Sequence, residues 1–294
     1  MPHFRFFLRS LIILLFSGYG CSIGPYQYED AYFRVREVAR IPSVVDEGSG
    51  LAFVGDTTSC WTLNDGGGST HVYQVNRQGK LLKKIKLKGV RNVDWEELSA
   101  DPLGNLYVGD VGNNWNVRRD LKIYRVNPDQ PQTIRTISFR YADQTKFPPD
   151  RLHKSFDCEA FFWHRDSLYL FSKNRGDKEV KIYVIPATPG QYEAKILDRA
   201  YLEPAEDPYE QENQVTAADI SPYGKTFALL TYGSIYFFHI RNGAVNFRHP
   251  WHKIQMGEEA VEQVEALAFL NNTDLIFSNE EGHIYEVRRK EPKN

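Results

Sequence analysis

Cysteine is scarce: the 294-residue chain has three, Cys21, Cys60 and Cys158. Three thiols cannot make the disulfide framework of a small stapled scaffold. The eight histidines form no HExxH and no His-x-His pair, so the short motif of zinc hydrolases is missing. His249-Pro250-Trp251-His252 reads as a surface kink. No Gly-x-Ser-x-Gly elbow occurs, which argues against a serine hydrolase of the common α/β type. Gly66-Gly67-Gly68-Ser69 leads into another strand-like run rather than a helix, so it is a hairpin loop and not a phosphate cradle. Asp110-Val111-Gly112-Asn113-Asn114 begins like a calcium loop but lacks the glycine and closing glutamate at their places. The chain also has no low-complexity tract, no amphipathic helical stretch between its apolar runs, and no apolar run long enough to span a bilayer permanently.

The first twenty residues differ in kind from the rest. Arg5 and Arg9 precede or flank the apolar run Leu11-Ile12-Ile13-Leu14-Leu15-Phe16, and small residues lead to Gly20-Cys21. This is the layout of a secretory signal, residues 1–20. Cys directly after Gly20 resembles a bacterial lipobox, which implies lipidation of Cys21, a tether over 21–31, and an exported chain anchored to the membrane of the cell envelope. Net charge is −2, and loss of the two arginines of residues 1–20 takes it to −4. So mild an acidity makes no case for a nucleic-acid partner. Cys60 and Cys158 then remain, either as a bridge between distant units or, more simply, as two small buried side chains.

Tyrosine and phenylalanine are abundant, 17 and 18 residues, and both favour pleated, half-buried surfaces. They recur with a period. A β-branched residue precedes Tyr at Val72-Tyr73, Ile123-Tyr124, Ile182-Tyr183, Ile235-Tyr236 and Ile284-Tyr285. Upstream of each lies a short apolar segment opened by small or acidic residues, and between the two marks sits a β-rich run ending in polar residues. A fourth extended run follows each Tyr strand, as in Leu81–Leu87. Four short strands per unit predict an all-β fold, a β-propeller of five four-stranded blades over residues 32–289, with 290–294 a tail. Six blades follow instead if 127–155 or 199–214 hide further strands. The last unit lacks a fourth strand, and Tyr32–Ile41 is an orphan strand of the right length. Pairing 32–41 with 283–288 would close the ring and remove an open sheet edge.

In such a ring, the loop entering each innermost strand and the loop leaving the second strand fall on one face. That face should gather Asp94, Glu96, Asp157, Glu159, Asp219 and Glu265 from strand starts. From second-strand ends it should gather Asn64, Asp65, Asp110, Asn114, Arg118, Lys173, Asn174, Arg175 and Asn279. Carboxylates crowded at a channel mouth repel one another unless compensated. A hard cation with oxygen ligands, Ca²⁺ or Mg²⁺, would compensate them, and so would pairing with Arg118, Lys173 and Arg175. Backbone amides could equally hold the acids, and a catalytic carboxylate is the remaining reading.

Trp61-Thr62-Leu63-Asn64-Asp65, Asp94-Trp95-Glu96-Glu97-Leu98, Tyr107–Asn114 with Arg118, Phe171–Arg175 and Glu265-Ala266-Leu267-Ala268 resemble a group of bacterial exported propellers of unknown function. That group is similar to the SdiA-regulated propeller family and to phytase-associated esterase-like propellers. The likeness covers about residues 45–285. It implies Ca²⁺ at the channel, carried over to Glu96, Glu159 and Glu265, with Ala218 standing in the fourth unit where its siblings offer Glu. Fold does not set function. The leading expectation is a membrane-tethered module binding a glycan, peptide or protein; the rival is a metal-dependent phosphoesterase, esterase or lactonase with Glu96 or Glu159 as general base.

Overall fold

The computed structural model describes residues 26–173, 175–202, 213–245, 247, 249–256 and 261–291. The signal-like residues 1–20, Cys21 and Asn174 lie outside the described residues. The described chain opens with β1 (Gln27–Glu29) and β2 (Phe33–Arg40). Residues 26–31, expected as tether, instead carry β1, which pairs antiparallel with β2. Asp30 makes the turn between them, its Oδ1 accepting the amides of Tyr32 and Phe33 at 2.6 and 2.7 Å. Tyr26 and Tyr28 pack on the core, which is why the segment does not hang free.

Runs of four antiparallel strands follow: β3 (Gly48–Phe53), β4 (Ser59–Asn64), β5 (His71–Asn76) and β6 (Leu81–Lys86). The pattern returns as β7 (Trp95–Ala100), β8 (Leu106–Asp110), β9 (Lys122–Val126) and β10 (Ile134–Tyr141), then β11 (Cys158–His164), β12 (Ser167–Ser172), β13 (Val180–Pro186) and β14 (Gly190–Ala200). After β15 (Val215–Ile220), β16 (Thr226–Thr231), β17 (Ser234–His239) and β18 (His252–Gln255), the chain ends with β19 (Val264–Phe269), β20 (Leu275–Asn279) and β21 (His283–Arg289). Strands β3–β6 and β15–β18 form two four-stranded sheets. Strands β7–β10 and β11–β14 merge into one eight-stranded sheet through parallel pairing of β10 with β14. The last sheet has the order β1-β2-β21-β20-β19, so a strand from the chain start, Phe33–Arg40, lies antiparallel on β21.

The first strand of each run touches the first strand of the next, and β19 returns to β3, closing a cycle. Sheets set around a common axis in this way make a β-propeller. Its core is a ring rather than a ball. The apolar clusters lie between neighbouring four-stranded runs, as where Leu98 and Val108 meet Ala52 and Trp61, or Ala160 and Phe171 meet Ala218 and Phe227. Central strands bury both faces, while outer ones such as β6 show Lys83 and Lys84 to solvent. The closing strand is held by packing as well as pairing: Phe33 stacks on Phe237 of the neighbouring sheet at 4.9 Å. Burying one such ring contributes about 1.5–3 kcal/mol. Cys60 and Cys158 are buried free thiols in different sheets, and burial pushes the Cys60 thiol up to about 12.

Candidate functional site

In all five first strands the ladder skips the same place: Gly50 in β3, Glu96 in β7, Glu159 in β11, Thr216 in β15 and Glu265 in β19. A β-bulge leaves its extra residue unpaired and re-aims the side chain. The three glutamates thus share one structural position. The fourth strand fills it with Thr216, not with Ala218 as the sequence alignment of the units implied; Ala218 pairs normally with Leu229. Gly50 has φ +64, and a Cβ there would collide with the Leu98 backbone, so only glycine fits.

Backbone bonds gather the face. The residue leaving the second strand donates its amide to the residue before the inner strand: Asp65 to Glu47 (2.9 Å), Val111 to Asp94 (3.1 Å), Lys173 to Asp157 (2.8 Å) and Glu280 to Gln263 (2.9 Å). These bonds bring Asp65, Asp94, Glu96, Asp110, Asp157, Glu159 and Glu265 to one mouth.

One half of the mouth is compensated by cations. Lys173, only 3% exposed, places Nζ 3.3 Å from Glu159 Oε1 and donates to the Tyr232 hydroxyl at 3.0 Å. Arg175 reaches Asp157 Oδ2 at 2.9 Å and Glu159 Oε1 at 3.4 Å, and bonds Asn114 Oδ1. Burial works against ionising Glu159, but Lys173, a bond from Glu96 and Arg175 outweigh it and hold the carboxyl below its ordinary range. Lys173 is raised despite its burial, chiefly by Glu159. Asp157 sits at about 7, pushed up by burial and then by Glu159, although Asn113 donates its amide to Oδ1 at 2.6 Å. Arg118 pairs with Asp110 at 2.9 Å. Glu265, bonded to Tyr232, is driven to about 8 by burial, with Lys173 opposing.

Among the described residues, the other half forms no such ion pair. Oxygens of Asp65, Asp94 and Glu96 lie within 4.8 Å of one another. Gly66 and Gly112 make the space, since a Cβ on Gly66 would strike Asp94 Oδ1 and one on Gly112 would strike Glu96 Oε1. Burial and then Glu159 push Glu96 well above its ordinary value. Asp94 rises to about 6 through burial and then Asp65, and Asp65 rises through burial. The expected ligand set Glu96, Glu159 and Glu265 shares the mouth, and Glu96 bonds Glu159, but the oxygens grouped most tightly for a cation are those of Asp65, Asp94 and Glu96. Glu159 is taken up by Lys173 and Arg175, and Asp65 and Asp94 stand beside Glu96 instead. Three hard carboxylates over a glycine cradle suit Ca²⁺ or Mg²⁺ and no soft metal.

Other expected residues are placed differently. Asp219 is not on this face: it lies near the far end of β15, its Oδ2 accepting the Phe269 amide at 2.7 Å. The short runs of the sequence mark strands but not which end a residue occupies. Asn279 is buried in its hairpin, donating to Val261 O and accepting from His283 N. Asn64 is near the mouth, and its Oδ1 has no hydrogen-bond partner among the described residues. Glu97 was missed by reasoning from the repeat. Its Oε1 accepts the Leu98 amide at 2.8 Å and its Oε2 the Ala218 amide at 3.1 Å, bridging β7 to β15, two inner strands that are not neighbours in the cycle. A glutamate following the bulge glutamate, in a unit series that otherwise has Leu51, Ala160, Ala217 and Ala266 there, is the signal that could have found it.

No protein-family model and no curated protein matches the chain. Among solved structures it is similar to a 6-phosphogluconolactonase-like protein from Bacteroides uniformis, with 15% identity, TM-score 0.43, and coverage of 89% of this chain and 75% of that one. It is also similar to a catalytically inactive virginiamycin B lyase from Staphylococcus aureus with quinupristin, with 11% identity, TM-score 0.38, and coverage of 82% and 66%.

Proposed function

We propose that the chain is a five-bladed β-propeller of the bacterial cell envelope, tethered by lipid on Cys21, that uses its acidic mouth to bind a glycan, peptide or protein ligand around a divalent cation. Five blades result if the eight-stranded sheet is two blades fused at their outer strands and β2 completes the last blade. The observation that carries the cation is the split of the mouth. Asp65, Asp94 and Glu96 converge over two glycines, while Lys173, Arg175 and Arg118 are engaged by other acids. Carboxylates so close repel unless a proton or a metal intervenes. Three protein oxygens would leave a Ca²⁺ or Mg²⁺ with several positions for water or ligand. The resemblance to the SdiA-regulated family points the same way, with Asp65 and Asp94 replacing Glu159 and Glu265 as partners of Glu96.

Binding fits this arrangement better than hydrolysis. A general base needs a pKa near the working pH. Glu159, held below its ordinary range by a buried lysine, is a weak base, and burial and Glu159 oppose ionisation of Glu96. Calcium and magnesium titrations of the purified protein, read by calorimetry and melting temperature, test the cation. One-site binding that Asp94→Asn abolishes is expected, and a flat wild-type titration overturns it. Intact-mass analysis tests the tether: a diacylated or triacylated Cys21 N-terminus is expected, and an unmodified Cys21 sinks it.

A further inference from the structure

The ring has a second mouth. The far ends of the inner strands, with Phe53, Ala100, Trp163, Ile220 and Phe269, enclose a cavity of about 580 Å³. That lies within the roughly 300–1,000 Å³ of small-molecule sites. Glu97, bonded from β7 to β15, stands between this cavity and the acidic mouth, so the two are separate places.

The cavity wall joins three kinds of surface. Phe53, Trp163 and Phe269 give it flat apolar faces, and the ring of Tyr223, 76% exposed, stands on the rim. The turn bearing Tyr223 is fixed, since its amide donates to Asn272 Oδ1 at 2.9 Å. Asp219 lines the wall with a carboxylate that accepts the Phe269 amide and has lone pairs for further donors. His164 also lines it, 7% exposed, with Nε2 buried and without a hydrogen-bond partner among the described residues. Arg165 also lines the wall and sets guanidinium donors beside the Asp219 acceptor.

Chemistry narrows the occupant. An anion would face Asp56, Asp101 and Asp219 against the one guanidinium of Arg165. An acyl chain would take Arg165 and the remaining lone pairs of Asp219 out of water. A small cation would leave the aromatic faces unused. A neutral sugar matches every part: its C–H face lies on an aromatic ring, and its hydroxyls both donate and accept. We propose that this cavity is a saccharide site for a neutral oligosaccharide of about two or three pyranose rings. One ring stacks on Trp163 with Tyr223 closing the rim, and hydroxyls bond Asp219 and Arg165. This site does not depend on the cation at the opposite mouth.

The test titrates the purified protein with the trisaccharides of glucose, N-acetylglucosamine and xylose to about 10 mM, a limit set by millimolar affinity, using calorimetry and saturation-transfer NMR. At least one should bind. Tyr223→Ala, at an exposed position that folding does not need, and Asp219→Asn should each weaken it about tenfold, near 1.4 kcal/mol. Asp94→Asn, at the acidic mouth, should leave it unchanged. Absence of binding by all three sugars overturns the site. So does binding that Tyr223→Ala and Asp219→Asn leave intact, or binding that Asp94→Asn removes.

Discussion

Glu96 and Glu159 occupy the same bulge position on touching inner strands, yet their carboxyls are pushed in opposite directions. Glu159 meets Lys173 and Arg175, which favour its ionised form; Glu96, 6% exposed, meets Asp65, Asp94 and Glu159, and burial and then Glu159 disfavour its ionised form. The backbone is the same in both, so the difference comes from what the neighbouring second strand supplies. After β12 the chain offers Lys173 and Arg175, whereas after β4 it offers Asp65 and the glycines that follow. A repeated frame can therefore present a locked ion pair in one sector and a cation-ready sector beside it.

The strongest way to break this contrast is to remove the lysine. Lys173→Met leaves buried Glu159 with the half-buried Arg175 and the bond from Glu96, and should destabilise the fold by about 3–5 kcal/mol in denaturant unfolding. A loss below about 1 kcal/mol would mean that the pair is not what holds this half. Next comes the strut below both halves. Glu97→Ala leaves the amides of Leu98 and Ala218 without an acceptor, an expected cost of about 2–4 kcal/mol. Glu97→Gln keeps one acceptor oxygen but turns an amide donor toward the other N–H, so it should cost about 1–3 kcal/mol by the same measurement.

Smaller effects sharpen the contrast. Glu96→Gln removes a carboxyl whose ionisation burial and Glu159 oppose, so without metal its melting temperature should hardly move, while any calcium-dependent rise disappears. Glu159→Gln should instead destabilise equally with and without calcium, because Lys173 loses its partner. Equal calcium responses of the two variants would erase the distinction drawn between the halves. The last contrast lies on the far face. Burial raises Asp219 from its ordinary 3.8 to about 7, so the fold favours its neutral form. That contribution is full below about pH 4 and is lost as pH rises through 7. Asp219→Asn should flatten this part of the stability–pH curve between those values, and an unchanged curve would show that the carboxyl titrates normally.

Much of the frame was legible in the chain itself. The recurring Val/Ile-Tyr pairs mark the third strands β5, β9, β13, β17 and β21, because aromatic and β-branched residues suit pleated surfaces buried on both sides. The orphan segment 32–41 and the missing last strand pointed to the pairing of β2 with β21. The acids before and within the inner strands were legible as one face because antiparallel neighbours bring the start of one strand beside the end of the next. Asp219 escaped this logic, since a six-residue strand read without its bulge does not reveal which end faces which mouth.

By itself, then, the sequence determined the strand repeat, its four-strand units, the closing segment and the types of group at the strand ends, all of which depend on local alternation and turn chemistry. Tertiary structure alone decided which carboxyls meet. Glu96 lies beside Asp65 from the preceding sheet, and Glu97 reaches an amide 121 positions away. Bulges and the curvature of a closed ring set those distances, and electrostatic states depend on distances of a few ångströms and on burial, neither of which a linear spacing contains.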